Sequence, residues 1–107
     1  MLLVRIAFQG ERGANSDAAA QRYFGAEIET VPCESFDDMF AAVATGSADR
    51  AMAPIENSLA GSVHQNYDLL ARYELHIVGE HILRVEHCLI GAPGVTLNDI
   101  ALVMSHP

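Results

Sequence analysis

The sequence predicts an α/β fold built from a parallel sheet and crossover helices. Apolar, β-rich runs alternate three times with runs that show helical spacing or helix-start signals. Half of the 107 residues are hydrophobic and 19% are charged, which is typical of a globular domain. This order makes the strands parallel, with right-handed crossovers, so ligands are expected beyond the carboxyl ends of the strands.

The first unit is a strand followed by a helix that ends at Gly25. The run "LLVRIAF" (2–8) is apolar except for Arg5 and predicts a buried strand. Ser16 and Asp17 have the character of a helix start, and the following helix should end at Gly25.

The second unit has a strand, "EIETVP" (27–32), and a helix with clear ends. Ser35 and Asp38 resemble a capping box, and Gly46 should end the helix. The apolar residues of one helix face follow at i, i+3, i+4, i+7 and i+8: Phe36, Met39, Phe40, Val43 and Ala44.

The third unit begins with a short strand of small residues, "DRAMAPI" (49–55). A third helix is predicted to begin near Gly61 and Ser62. The residues expected on its buried face are Val63, Tyr67 and Leu70, with Leu69 widening the stripe.

The pattern changes after the third helix. The stretch 75–91 is β-rich and too long for one ordinary strand, so two strands or one strand bent at Gly79 are predicted. Thr96 and Asp99 could cap a single helical turn. The run "IALVM" (100–104) predicts a final strand.

Charge and composition argue against several classes of partner. The net charge is −8 with only six basic residues, so we expect neither nucleic acid nor a membrane as a partner. No run approaches the roughly 20 apolar residues of a membrane span, and a cytoplasmic location is predicted. Cys33 and Cys88 are predicted to be reduced, partly buried thiols, and the five histidines lack the spacing of metal ligands.

Three polar segments follow predicted strands: "QGERGANS" (9–16), "PIENS" (54–58) and "SHP" (105–107). Parallel strands would bring these segments to one edge of the sheet, which favours a binding site there. Each segment taken alone also fits an ordinary turn, because Gly, Asn, Ser and Pro are common turn residues.

The chemistry of these segments suits a small anionic ligand. Glycines before a helix start allow an anion to approach the helix amides. In so acidic a chain, either helix N-termini must carry the binding or a further segment must supply an Arg or Lys. Glu56 is the candidate acid or base, and Asn57 and Ser58 could hold a hydroxyl or a carboxylate.

Three blocks of the sequence together resemble the amino-terminal part of prephenate dehydratase: "AFQGERGANSDAAA", "APIENSLAGSVHQNYDLL" and "VMSHP". They occur in the order and spacing of that family across nearly the whole chain. The resemblance implies conversion of prephenate to phenylpyruvate, with loss of water and carbon dioxide and without a metal or organic cofactor. The alternatives are an arogenate dehydratase and a binding module of the same fold that holds a small anion without chemistry.

The resemblance also implies two α/β subdomains arranged like a type 2 periplasmic binding protein, with the active site in the cleft between them. Residues 1–78 would form the first subdomain from three βα units. Residues 79–107 would form the crossover and an incomplete start of the second subdomain. A regulatory ACT domain, which many members carry, would lie beyond both.

The site residues are carried over by position. Glu56, Asn57 and Ser58 match the Glu-Asn-Ser active-site loop and are the predicted catalytic residues. The substrate-binding candidates lie at two helix starts and in the Ser-His-Pro segment: Ser16, Gly61, Ser105 and His106. The catalytic Thr-Arg-Phe motif of the family does not occur in the 107 residues, so we expect this chain alone to be inactive. An exposed strand edge after Met104 predicts homo-oligomers.

Overall fold

The computed structural model describes residues 3–105 and shows an α/β unit with a parallel sheet. The sheet contains β1 (Val4–Gln9), β2 (Ile28–Cys33) and β3 (Arg50–Ala51) in the order β2-β1-β3. Two helices make the crossovers, α1 (Asn15–Phe24) between β1 and β2 and α2 (Phe36–Ala44) between β2 and β3. The predicted alternation of parallel strands and helices is therefore confirmed.

The central strand β1 supplies much of the core. Ile6, Ala7 and Phe8 are completely buried, because β1 is paired on both sides and helices pack against the sheet. Arg5 interrupts this apolar run without being buried. Its guanidinium donates to the Gly46 carbonyl at 2.9 Å and lies 3.8 Å from the Asp49 carboxylate.

The start of α2 and the end of α1 lie where their sequences predict. The Ser35 hydroxyl accepts a hydrogen bond from the Asp38 amide at 3.0 Å and caps the start of α2. Gly25 ends α1, and its amide donates to the Gln21 carbonyl. On α2 the predicted face is buried at Met39 and Phe40, and the core around them also includes Ala48 and Leu69.

The third strand is shorter than the predicted 49–55. Only Arg50 and Ala51 pair with β1, and the ladder continues by a single bond from the Met52 amide to the Ala7 carbonyl. Pro54 has no N–H to donate, so pairing cannot extend through it.

The third helix begins at His64, just after the predicted start near Gly61 and Ser62. Residues near Gly61 form a small antiparallel hairpin instead, in which β4 (Glu56–Asn57) pairs with β5 (Gly61–Ser62). The helix α3 then spans His64–Tyr73. Its predicted buried face is confirmed only in part: Leu69 is buried and Leu70 packs against the core, but Tyr67 is 45% exposed. The buried Asn66 was not predicted.

The strands predicted in 75–91 and 100–104 do not form among the described residues. A strand needs a partner for its N–H and C=O groups, and residues 75–105 pair with none. The predicted helical turn is confirmed: Thr96 and Asp99 form a capping box around a 3-10 helix at Leu97–Asp99. Gly79 lies so close to Tyr23 of α1 that an added Cβ would collide with the tyrosine hydroxyl.

The two cysteines differ in exposure. Cys33 is partly buried, as predicted, but Cys88 is exposed, and both are free thiols. Burial raises the pKa of the Cys33 thiol, and the nearby Asp38 carboxylate adds to that rise.

Within residues 3–105, no helix has the length and apolar character needed to cross a membrane.

Candidate active site

The carboxyl ends of β1 and β3 form the edge on which two predicted site segments lie. These strands are parallel neighbours, with Ala7 opposite Ala51. The chain therefore leaves both strands on the same side of the sheet, β1 into the loop 10–14 and β3 into the segment 52–55. This adjacency brings two of the three polar segments to one edge, as the sequence predicts.

The loop 10–14 is built around a buried carboxylate. Gly13 has a φ of +91°, which a residue with a side chain rarely adopts, and its amide donates to Asp17 Oδ2 at 2.8 Å. Gln21, one turn later, donates to Asp17 Oδ1 at 3.1 Å. Asp17 is only 4% exposed and fixes the loop against the first turn of α1.

The charge on Asp17 is stabilised from several sides. Burial by itself would raise the pKa of this carboxyl, but the hydrogen bonds from Gly13 and Gln21 act in the opposite direction, helped by Thr30 and by the charge of Arg12. The pKa of Asp17 consequently lies below its usual value. Arg12 is the cation of this loop, and its guanidinium donates to the Thr30 carbonyl at 3.2 Å. It is thus engaged with β2.

Ser16 lies in the first turn of α1, close to its predicted position. It is the second residue of the helix and is half-buried. The residue before the helix is Ala14, and no side chain caps the helix start. The amides of this first turn therefore keep their capacity to donate to a ligand at the sheet edge.

The hairpin β4–β5 carries the predicted catalytic residues. Asn57 Oδ1 accepts hydrogen bonds from the amides of Leu59 and Ala60, at 2.9 and 3.1 Å, and so shapes the turn. Gly61 closes the turn with a φ of +86°. It therefore lies in β5 and not at a helix start, which corrects its predicted place.

The functional groups of the hairpin are accessible. Glu56, Asn57 and Ser58 are all exposed. Because Asn57 Oδ1 is used by the turn, its Nδ2 is the group that remains to donate to a ligand. Glu56, Asn57 and Ser58 thus offer one carboxyl, one hydroxyl and one amide N–H₂ group, a set that can transfer a proton and hold oxygen atoms of a substrate.

Of the third predicted segment, residues 105–107, the structure describes Ser105. Ser105 is exposed and follows the stretch 100–104, which has no regular structure, so no strand delivers it to the sheet edge. His106 lies outside the described residues.

A polar residue that the sequence analysis missed lies beneath the hairpin. Asn66, in the first turn of α3, is fully buried, and its Nδ2 donates to the Pro54 carbonyl at 2.8 Å. A signal for it was present: Asn66, Leu69 and Tyr73 recur at i, i+3 and i+7, which puts the asparagine on the apolar face of the helix.

An open depression of about 440 Å³ lies between the ends of β1 and β2. Its lining includes Gln9, Gly10, Cys33 and two acids, Glu11 and Glu34. It shares only the first loop with the predicted site, and its carboxylates disfavour an anion.

Residues 3–105 contain no cluster of three or more His, Cys, Asp or Glu side chains that could hold a metal ion.

Comparison with known proteins gives consistent matches. The family described as prephenate dehydratase matches residues 6–107. A relative named arogenate dehydratase/prephenate dehydratase 2, chloroplastic, from Arabidopsis thaliana is 55% identical over 97% of this chain and 27% of its own length. Arogenate dehydratase 2 of Petunia hybrida is 53% identical over 97% of this chain and 26% of its own length.

A solved structure is also similar. It is described as GqqA, a novel type of quorum quenching acylases, and it is 47% identical with a TM-score of 0.69. The match covers 76% of this chain and 41% of that one.

These comparisons correct the predicted location and show how much of each relative the chain spans. The predicted cytoplasmic location is contradicted, because six relatives from Arabidopsis thaliana are named as chloroplastic proteins. The chain spans about a quarter of the length of the curated relatives it matches.

Proposed function

The chain belongs to the prephenate dehydratase family, and from that premise we propose that the protein containing it converts prephenate to phenylpyruvate. The hairpin β4–β5 and the first turn of α1 form one wall of the substrate cleft. The parallel pairing of β1 with β3 is the observation that carries this proposal, because it brings Ser16 and the segment leading to Glu56 to the same sheet edge. A plastid is the location that the chloroplastic relatives favour.

The reaction makes definite demands on the site. The bond from the ring to its carboxylate breaks, its electron pair completes the aromatic ring, and the ring hydroxyl takes a proton and leaves as water. A donor beside the hydroxyl lowers the barrier, and fixing both carboxylates orients the substrate. The amides of α1, Asn57 Nδ2 and the Ser58 hydroxyl are groups that can hold those carboxylates.

Glu56 is the one proton-transfer group that the hairpin offers. The family resemblance gives the proton-donor role to a Thr-Arg-Phe motif, which the 107 residues do not contain. The basic residue of the first loop, Arg12, is already engaged by β2 and Asp17. We therefore propose that the 107-residue chain supplies half a site and is inactive by itself.

The larger architecture follows the same proposal. Residues 1–78 form the first of two subdomains arranged like a periplasmic binding protein, and residues 79–107 start the second. Ser105 and His106 would then line the cleft from the other side. Pairing of the apolar segment 100–104 with a second copy would give the expected homo-oligomer.

Arogenate is the first alternative substrate. Many relatives carry arogenate dehydratase in their names, including those from Arabidopsis thaliana and Petunia hybrida. Arogenate has an amino group where prephenate has a keto oxygen, so an acceptor near that position would favour it. The exposed Glu56 carboxyl is one candidate acceptor.

An acylase is the second alternative, because the solved structure with 47% identity is described as one. It would need a nucleophile or an activated water, and Ser58 is the hydroxyl that the hairpin offers. The dehydratase is favoured, because the prephenate dehydratase family matches residues 6–107.

One experiment separates these functions. The complete gene product and the 107-residue chain are each incubated with prephenate, with arogenate and with an N-acylated amine. We expect the complete protein to form phenylpyruvate or phenylalanine and the short chain to form neither. Release of only a fatty acid would favour the acylase, and binding of prephenate without turnover would favour a binding module.

A further inference from the structure

Asn66 is a buried polar residue at a position where the fold alone would favour an apolar one. Its side chain is completely buried in the first turn of α3, on the same face as Leu69. Asparagine is a weak helix former and is rarely fully buried. Its presence here therefore calls for a reason beyond packing.

The hydrogen bond of Asn66 closes the neck of the hairpin. Nδ2 donates to the Pro54 carbonyl at 2.8 Å, and the adjacent bond runs from the Val63 amide to the Ile55 carbonyl at 2.8 Å. Together the two bonds tie the chain just before β4 to the chain just after β5. Since Pro54 has no N–H, its carbonyl is the group through which that residue can be anchored.

The hairpin has little else to hold it. Each of its strands has two residues, and a hairpin of that size is marginal in water without further packing. Leu59 at its tip is 90% exposed and adds no burial. The orientation of Glu56 and Ser58 therefore depends on how firmly the neck is fixed.

The second polar atom of Asn66 argues against a role in stability alone. Its Oδ1 is buried and has no hydrogen-bond partner among residues 3–105. A buried acceptor without a partner is destabilising, so an apolar side chain would serve a purely structural position better.

We propose that Asn66 is a positioning residue, which fixes the Glu56-Asn57-Ser58 turn through the Pro54 carbonyl without touching substrate. This inference rests on the proposed function, because it gives the turn a substrate to face. Loss of the Asn66 donor should leave the protein folded, loosen the hairpin neck and misplace the groups that act on the substrate.

The test compares Asn66→Leu with Gln65→Leu in the complete gene product. Gln65 is the exposed neighbour in the same helical turn and provides the matched control. Three quantities are measured: the midpoint of thermal unfolding, the hydrogen-exchange rate of the Val63 amide, and kcat and KM for the substrate turned over. The Gly10 amide, which donates to the Cys33 carbonyl in the sheet, is the internal reference for exchange.

We expect Asn66→Leu to raise exchange at Val63 by about tenfold, to leave Gly10 unchanged and to lower kcat by about 10–100-fold with little change in KM. Gln65→Leu should change none of these. If Asn66→Leu does not fold, Asn66→Ala decides, because it removes the donor without adding bulk or a buried charge.

The contrary results are equally definite. Unchanged exchange at Val63 and unchanged kcat in a folded Asn66→Leu protein would overturn the inference. Failure of both Asn66 variants to fold would show a structural role and overturn it as well. If the wild-type protein turns over neither prephenate nor arogenate, the proposed function fails, and exchange at Val63 still decides whether Asn66 fixes the hairpin.

Discussion

Residues 74–105 are richer in Val, Ile and Leu than residues 4–73, yet the two regions differ in what they do with their apolar side chains. Every buried hydrophobic residue of the described chain lies in the first region, between Ile6 and Leu69. In the second region Ile82, Ile90 and Met104 are 92%, 89% and 85% exposed.

The difference shows that an apolar run becomes a strand only when the chain also supplies its partner. β1 finds β2 and β3 beside it because α1 and α2 return the chain to the sheet. The stretch 75–91 is also β-rich, but within the described residues no α-helix follows it to bring a second strand alongside. Local β-propensity is thus not sufficient for a strand here.

The largest expected effect comes from removing a core side chain in the first region. Phe8→Ala should lower the free energy of unfolding by about 3–5 kcal/mol, because Phe8 is fully buried and a cavity would remain. Ile90→Ala in the second region should change it by no more than about 0.5 kcal/mol. Urea unfolding of the 107-residue chain checks both, and equal losses would show that the two regions do not differ.

A smaller effect is expected from the buried carboxylate of the first loop. Asp17→Asn should cost about 1–3 kcal/mol near pH 7, because one of the two hydrogen-bonded oxygens becomes a donor. Asp68→Asn on the exposed surface of α3 is the control and should change stability by less than about 0.5 kcal/mol.

The sign of the pH dependence follows from the lowered pKa of Asp17. The stabilisation is fully present above the ordinary value of 3.8 and is lost as the pH falls through the lower pKa of the folded protein. The free energies of unfolding of the wild-type and Asp17→Asn proteins should therefore approach each other as the pH falls below the Asp17 pKa of the folded protein. A gap that stays constant down to the acid transition would contradict this assignment.

The smallest expected losses of stability are those at the starts of the two crossover helices, α2 and α1. Ser35→Ala should cost about 1 kcal/mol, because it removes the cap of α2. Ser16→Ala should cost less, since no side chain caps α1, but it should lower kcat/KM if this turn faces the substrate. Thermal unfolding and turnover of the complete protein distinguish the two, and a larger stability loss for Ser16→Ala would reverse the comparison.

Much of the first region could be predicted from the sequence. The strand–helix order, the Ser35 cap and the stop at Gly25 follow from local rules, and the structure agrees with each. The start of α3 was placed too early, because hairpin pairing between Glu56 and Ser62 is a contact that helix signals do not reveal.

The site was predictable only in part. Glu56, Asn57 and Ser58 were found from the polar turn and the resemblance, but the turn-forming role of Asn57 Oδ1 needed coordinates. Asn66 was missed because the buried face was sought among apolar residues, of which Leu69 is buried and Tyr67 is exposed. The catalytic roles themselves stay predictions, since they depend on chemistry that geometry alone does not test.

The most direct test of the account is kcat/KM of the complete protein with the hairpin wall altered. Glu56→Gln combined with Ser58→Ala is compared with Glu27→Gln combined with Ser47→Ala, a matched pair of exposed residues at the opposite edge of the sheet. The account predicts a fall of about 100-fold or more for the first pair and no change beyond about twofold for the second. Equal values for both pairs, in folded proteins, would show that the hairpin is not a wall of the substrate cleft.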